Sequence, residues 1–277
     1  MDSLHKRIPV LLILALLPVL LFTAFTLWQS GRQMQNEVIS TNESALDFYV
    51  AELEQSLEHM QSYLLNFSVF NTDVSNINND QHDVRMIVKS KVFEKMRQDF
   101  SMYDADCLFV YTPRYDELVT VYSSNITYLE ISNFREQLLM YSDEYVTSFH
   151  WSVGRIGGMP LLYQINYSNV GGYLYGALYD VEVLQNRLEE SSNNNMGVYL
   201  TGKSTLPLTA TNAELLLSDQ PYTSSGQTVI QQCSEKGFIL WQVFSMPVFL
   251  GNGNVFFVIM LLMALITIGV LFCVSLL

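Results

Sequence analysis

Side chains able to carry chemistry are few in this chain, and their spacing is poor for catalysis. His59, His82 and His150 lie far apart, none forms H-x-x-x-H or H-E-x-x-H, and no cysteine cluster joins them. A metal centre needs several such ligands converging, so none is expected. No G-x-S-x-G elbow marks a serine nucleophile. Asp104/Asp106 and Glu189/Glu190 are carboxylate pairs, but in a chain of net charge −13 such pairs read as solvated faces or helix caps. Gly154-Arg155-Ile156-Gly157-Gly158 does not sit between a strand and a helix, so it reads as a hairpin loop and not as a phosphate cradle. What remains is aromatic. Tyrosines recur at alternate positions, Tyr163 and Tyr167 in one run and Tyr173, Tyr175 and Tyr179 in the next. A period of two puts each set on one face of a strand, where rings stack on a ligand or pack under a helix. No catalytic residue and no cofactor is expected.

These residues need elements to hold them. Charged residues are only 15% of the chain, and the deficit sits in two uncharged runs, Ile8–Trp28 and Val255–Leu277. Each is long enough to cross a bilayer as a helix. A cleaved leader usually has a shorter apolar core and a small-x-small cleavage site, so the first run reads as an uncleaved anchor. His5, Lys6 and Arg7 precede it, which places the N-terminus in the cytoplasm and residues 29–254 outside. The chain stops at Leu277 without a basic flank, as expected of a truncated receptor, although a complete short chain stays open. Lys+Arg 14 against Asp+Glu 27 excludes the cationic surface that nucleic acid requires. Cys107 and Cys233 are far apart in sequence and read as two unpaired, buried thiols, with a disulfide left open.

Between the runs, Leu46, Val50, Leu53, Leu57, Met60, Leu64 and Phe67 follow a heptad seam, with Glu52, Glu54 and Glu58 off it. That seam fits either a helix packed on its own sheet or a stalk pairing with a second copy as a parallel homodimer. Residues 71–83 read as a loop and 84–100 as a helix with Met86, Ile87, Phe93, Met96 and Phe100 as its apolar residues. Strand patterns follow at 107–111, 118–122, 145–153, 160–167 and 172–179, with a helix at 130–141. Asp180 is placed to cap a helix over 181–190. Strands at 198–201, 227–233 and 237–244, and a short helix at 212–217, complete the chain. The fold class is α+β, antiparallel, with a long N-terminal helix between two membrane spans. The expected divisions are a cytoplasmic end 1–7, a first span 8–28, a stalk helix 29–70, a distal sensor region 71–192, a small proximal β-rich region 193–250 and a second span 255–277.

The order of elements, together with Pro160-Leu161-Leu162-Tyr163-Gln164-Ile165-Asn166-Tyr167 and Gly171-Gly172-Tyr173-Leu174-Tyr175-Gly176-Ala177-Leu178-Tyr179-Asp180, resembles the extracytoplasmic Cache (PAS-like) sensor portion of bacterial transmembrane sensor histidine kinases. Within them it is most similar to Gram-positive receptors linked to carbohydrate uptake. The resemblance implies a plasma-membrane input module of a two-component system that relays binding through its membrane helices. The HAMP linker, phosphoacceptor and ATPase regions of such kinases are not in this sequence, so the chain as given is not expected to be an enzyme. A free-standing membrane-anchored binding protein is the alternative, and an ectoenzyme ranks below both. The family's pockets lie over the sheet, lined by aromatics with a few polar anchors. By that resemblance the ligand-binding candidates are Tyr111, Arg114, Tyr122, Trp151, Arg155, Tyr163, Tyr175 and Asp180. Arg155 and Asp180 are suited to a carboxylate and an amine, the rings to a sugar or another small solute. An extracytoplasmic binding protein is the other partner the resemblance implies.

Overall fold

A computed structural model describes residues 2–143, 149–191, 197–202, 222–224 and 227–245, with positions 264 and 269 besides. The chain divides into two compact units, one of residues 1–44, 223–228 and 245–277, the other of residues 45–222 and 229–244. The first unit carries the start of the helix α1 (Asp2–Phe70), whose side chains are described from Phe22 onward. Phe22, Phe25 and Leu27 are exposed there, and Arg32 stacks over Trp28 at 4.3 Å. Among the described residues no helix is long and apolar enough to cross a membrane. The second uncharged run, positions 264 and 269 apart, and the expected helix at 212–217 lie outside the described residues.

The second unit holds the remainder of α1, the short α2 (Thr72–Ser75) and α3 (His82–Phe100). A single helical turn thus interrupts the expected loop after Phe70. It forms because the Asn71 side chain accepts from the Asp73 and Val74 amides while Val74 is fully buried. Along α3 the buried residues are Arg85, Val88, Val92, Met96 and Asp99, a helical stripe that includes two charges. Met86, Ile87 and Phe93 are exposed instead. Arg85 and Lys89 both reach Glu117, at 3.1 and 3.0 Å, so the buried charge is paired and α3 is tied to the sheet edge.

The main sheet is β1 (Cys107–Thr112), β2 (Glu117–Tyr122), β3 (Ser152–Ile156), β4 (Met159–Ser168) and β5 (Tyr173–Asp180), in the order β2-β1-β5-β4-β3. The pairings β1–β2, β1–β5, β4–β5 and β3–β4 are all antiparallel. β3 runs through Gly154 and Arg155 to Ile156, so the turn is confined to Gly157 and Gly158, both at positive φ. Helix α4 (Tyr128–Asp143) covers one face, where Phe134 meets Phe109 edge-on at 4.9 Å and Ile131, Leu138, Leu161, Leu174 and Leu178 complete the core. α1 lies against the other face. Its seam residues Leu46, Val50, Leu53, Leu57, Met60, Leu64 and Phe67 are all buried in the single chain, so over this stretch the packed-helix reading holds.

β5 leads straight into α5 (Val181–Ser191), where Asp180 accepts from the Glu182 amide at 2.8 Å. This is the cap read from sequence. Asp180→Ala is expected to lower unfolding stability by about 1 kcal/mol, readable as a shift in the urea midpoint. α5 then holds β6 (Gly197–Gly202) through Gln185 to the Val198 carbonyl and Glu189 to the Val198 amide. With β7 (Tyr222–Ser224), β8 (Gln227–Cys233) and β9 (Phe238–Ser245) it forms a second sheet of order β6-β9-β8-β7. The β8–β9 turn grips α1: Ser234 and the Glu235 amide donate to Glu54 at 2.6 and 2.8 Å, and Lys236 pairs with Glu58 at 2.8 Å. The Lys236 ammonium holds the Glu58 carboxyl below the usual carboxylate range. Two of the acidic residues beside the seam, Glu54 and Glu58, are therefore anchors for a distant hairpin.

Cys107 and Cys233 are both free. Cys107 is buried, and burial pushes its thiol up to about 12. Cys233 is exposed, against the expectation of two buried thiols, because it ends β8 just before the turn.

Candidate functional site

The eight candidate residues do not converge on one cavity. Tyr111 and Tyr163 share the α4 face. Tyr111 is fully buried and its hydroxyl donates to Asp116 at 2.9 Å, while Arg135 of α4 grips the same carboxylate. Tyr111 thus tethers α4 to the β1–β2 turn, where Asp116 sits at φ 50. The Arg135 guanidinium keeps the Asp116 carboxyl low. Trp151 and Tyr175 share the opposite face, beneath α1. Trp151 packs edge-on against Tyr179 at 5.6 Å, and Tyr175 lies 5.8 Å from Tyr173, whose hydroxyl donates to the Ser68 carbonyl of α1. The register explains the split. Tyr163 pairs with Leu178 and Leu162 with Tyr179, so the tyrosines of β4 and β5 point to opposite faces. Arg114 pairs with Asp80 at 2.8 Å, Arg155 donates to the Gly158 carbonyl of its own turn, and Tyr122 is exposed at the end of β2. Asp180 is the cap of α5.

The α1 face, by contrast, carries open space. A cleft of about 240 Å³ lies between α1 and α5, with Leu53, Leu184, Leu188 and Tyr179 as its apolar walls and Glu52, Asp104 and Arg187 at its edge. A larger groove, about 530 Å³, lies where α1, α2 and α3 meet. The last turns of α1 supply Tyr63, Asn66, Phe67 and Phe70, and α3 with the residues after it supplies Lys95, Asp99, Met102 and Tyr103. Tyr63 stands 4.7 Å from Tyr103 and 5.6 Å from Phe67, both tilted, forming a wall of three rings. Asp99 is buried and takes the Lys95 ammonium at 2.8 Å. Burial and the neighbouring Asp99 charge push the Tyr63 phenol up, so it stays protonated. Polar anchors few in number on an aromatic wall suit a small solute. Of this set the sequence marks only Phe67, as a seam residue. The 4, 3 spacing of Tyr63, Phe67 and Phe70 was the one local signal. Tyr103 and Asp99 come from a segment whose approach to α1 is set by the tertiary fold. Among the described residues no group of His, Cys, Asp and Glu is arranged to hold a metal ion.

No protein-family model matches the chain, and no curated protein matches it in sequence. Among solved structures, the sensory domain of the Campylobacter jejuni chemoreceptor Tlp3 with isoleucine bound has 13% identity and a TM-score of 0.47, over 82% of this chain and 98% of that one. The sensor domain of the V. cholerae histidine kinase DctB has 10% identity and a TM-score of 0.46, over 76% and 98%. The ligand-binding domain of the Pseudomonas aeruginosa chemoreceptor PctC in complex with GABA has 8% identity and a TM-score of 0.45, over 74% and 99%.

Proposed function

We propose that this chain is the signal-sensing input part of a transmembrane receptor. One observation carries the reading: the seam of α1, Leu46 to Phe67, is buried on the sheet, and the same helix is continuous in sequence with the uncharged run. A solute or partner that favours one seating of α1 on the sheet biases the whole helix, which is a two-state element in the required sense. In this reading residues 8–28 and 255–277 are the spans and residues 29–254 lie outside the plasma membrane. The output is a histidine kinase of the two-component type, and the chain itself performs no catalysis. The occupant is a small molecule such as a sugar, or an extracytoplasmic binding protein. Segment 29–44, whose described side chains are not spent on the sheet, is the natural contact of a parallel homodimer.

Sidedness has a built-in reporter. Cys233 is exposed and Cys107 buried, so a membrane-impermeant maleimide applied to intact cells is expected to label Cys233 and to leave a Cys233→Ala variant unlabelled. Labelling only after lysis would put the domain on the cytoplasmic side and end the receptor reading. Relay is tested in membranes with a single cysteine at Met34 or Val38 in a cysteine-free background. A solute that raises the melting temperature is expected to change the rate of disulfide cross-linking there. If bound solute leaves both rates unchanged, the free-standing binding protein takes the receptor's place.

A further inference from the structure

We propose that the groove between the last turns of α1 and α3 binds a small organic ammonium ion, with Asp99 as its counter-charge and the rings of Tyr63, Phe67, Phe70 and Tyr103 as its walls. The proposal names a ligand class for the sensory reading and rests on that reading only for its biological meaning.

Three independent features select a cation. The first is the ring wall. The faces of aromatic rings are electrically negative, and they hold alkylated ammonium groups within about 6 Å. Tyr63 packs on Tyr103 at 4.7 Å and on Phe67 at 5.6 Å, so the three rings form one continuous aromatic wall. The second is Asp99, a carboxylate only 7% exposed on the groove lining. A buried carboxylate requires a positive partner. The third is the end of α1. It terminates at Phe70 with no basic residue in its last turn, and that turn lines the groove. Carbonyl ends of helices carry partial negative charge.

The partner Asp99 now has is instructive. It is the ammonium of Lys95, at 2.8 Å, on a side chain that is 53% exposed and one turn away on the same helix. The protein's own alkylammonium stands in for the ligand's, and an entering ammonium ion takes its place on the carboxylate. Lys95 is therefore a competitor that sets the threshold for binding. Phe70 and Met102, 77% and 76% exposed, flank the groove with apolar surface that N-methyl groups would cover. A metal ion is the wrong guest here, because a hard cation wants six or more oxygen ligands and this wall offers rings.

The test is calorimetric titration of the full chain in nanodiscs with tetramethylammonium chloride, against sodium chloride and the uncharged tert-butanol. Saturable binding of tetramethylammonium alone is expected. Asp99→Asn should weaken it roughly tenfold or more, and Phe70→Ala, at an exposed position, several-fold. Lys95→Met should tighten it several-fold by removing the competitor, a gain that a merely structural role for the Lys95–Asp99 pair does not produce. Circular dichroism of each variant separates lost binding from lost fold. The proposal is overturned if the wild type binds tetramethylammonium no better than tert-butanol, or if Lys95→Met binds it no more tightly. A chain that ignores ammonium ions but changes cross-linking with another solute would end this proposal and leave the sensory reading standing.

Discussion

Gly176→Ala is expected to destroy the main sheet. Gly176 sits in the middle of β5, paired with Phe109 of β1 on one side and Ile165 of β4 on the other. Its φ is not positive, so glycine is required here for space and not for conformation. A Cβ at this position would land on the Gln164 carbonyl oxygen and come within 3.0 Å of the Phe109 ring. Gln164 is main chain of an interior strand and cannot move without tearing the β4–β5 ladder. Phe109 is locked by Phe134. Overpacking of this kind costs about 3 kcal/mol or more when the obstacle is backbone, a large share of the roughly 5–15 kcal/mol that holds a domain folded. Urea unfolding of the variant should show a collapsed midpoint or no folded baseline. Gly158→Ala is the control. It has positive φ but nothing within 4 Å of the new methyl, so only the backbone penalty of about 1–2 kcal/mol applies. If both variants unfold alike, the close approach of β4 and β5 is not as described.

The second large effect is expected at Leu57. It lies mid-seam on α1 and is 0% exposed. Truncation to alanine removes three buried carbons and leaves a cavity that the neighbouring Met60 and Leu53 fill only in part. Such changes cost about 2–5 kcal/mol. Phe48, on the same helix but 65% exposed, should shift stability by no more than about 0.5 kcal/mol when changed to alanine. The pair of measurements separates two uses of one heptad pattern. A seam spent on the chain's own sheet gives a Leu57→Ala loss independent of protein concentration. A seam spent on a second copy gives a loss that shrinks as concentration rises, because association then contributes to stability.

Had α1 been seated by its seam alone, it would be free to slide by a heptad. The Glu54 and Glu58 contacts to the β8–β9 turn forbid that, since they fix one turn of α1 against one hairpin. The same hairpin comes close to the residue that precedes β3, for a Cβ on Gly237 would stand 3.2 Å from the Trp151 carbonyl. Seating of α1 is thus held by the second sheet as well as by the first.

What the sequence determined by itself is local pattern, except along α3, where Met86, Ile87 and Phe93 face out and a stripe holding Arg85 and Asp99 faces in. The α1 seam, the cap at Asp180, the alternation of β4 and β5 and the hairpin around Gly157 and Gly158 all follow from residues within a few positions of each other, whereas the helical turn capped by Asn71 falls inside a stretch that the sequence reads as a loop. Asp180 illustrates this, since its carboxylate caps the amide two residues on. The tertiary structure alone decided which partner each face meets. It sent Tyr111 and Tyr163 under α4 and Trp151 and Tyr175 under α1, because strand register, not strand pattern, fixes which faces coincide. It brought Tyr63 beside Tyr103 and Glu54 beside Ser234. Those pairs are separated by long stretches of chain, and no repeat in the sequence records that they meet. The groove at Asp99 exists for that reason only: its walls come from two helices whose ends are brought together by burial of their apolar faces, and burial has no direction along the sequence.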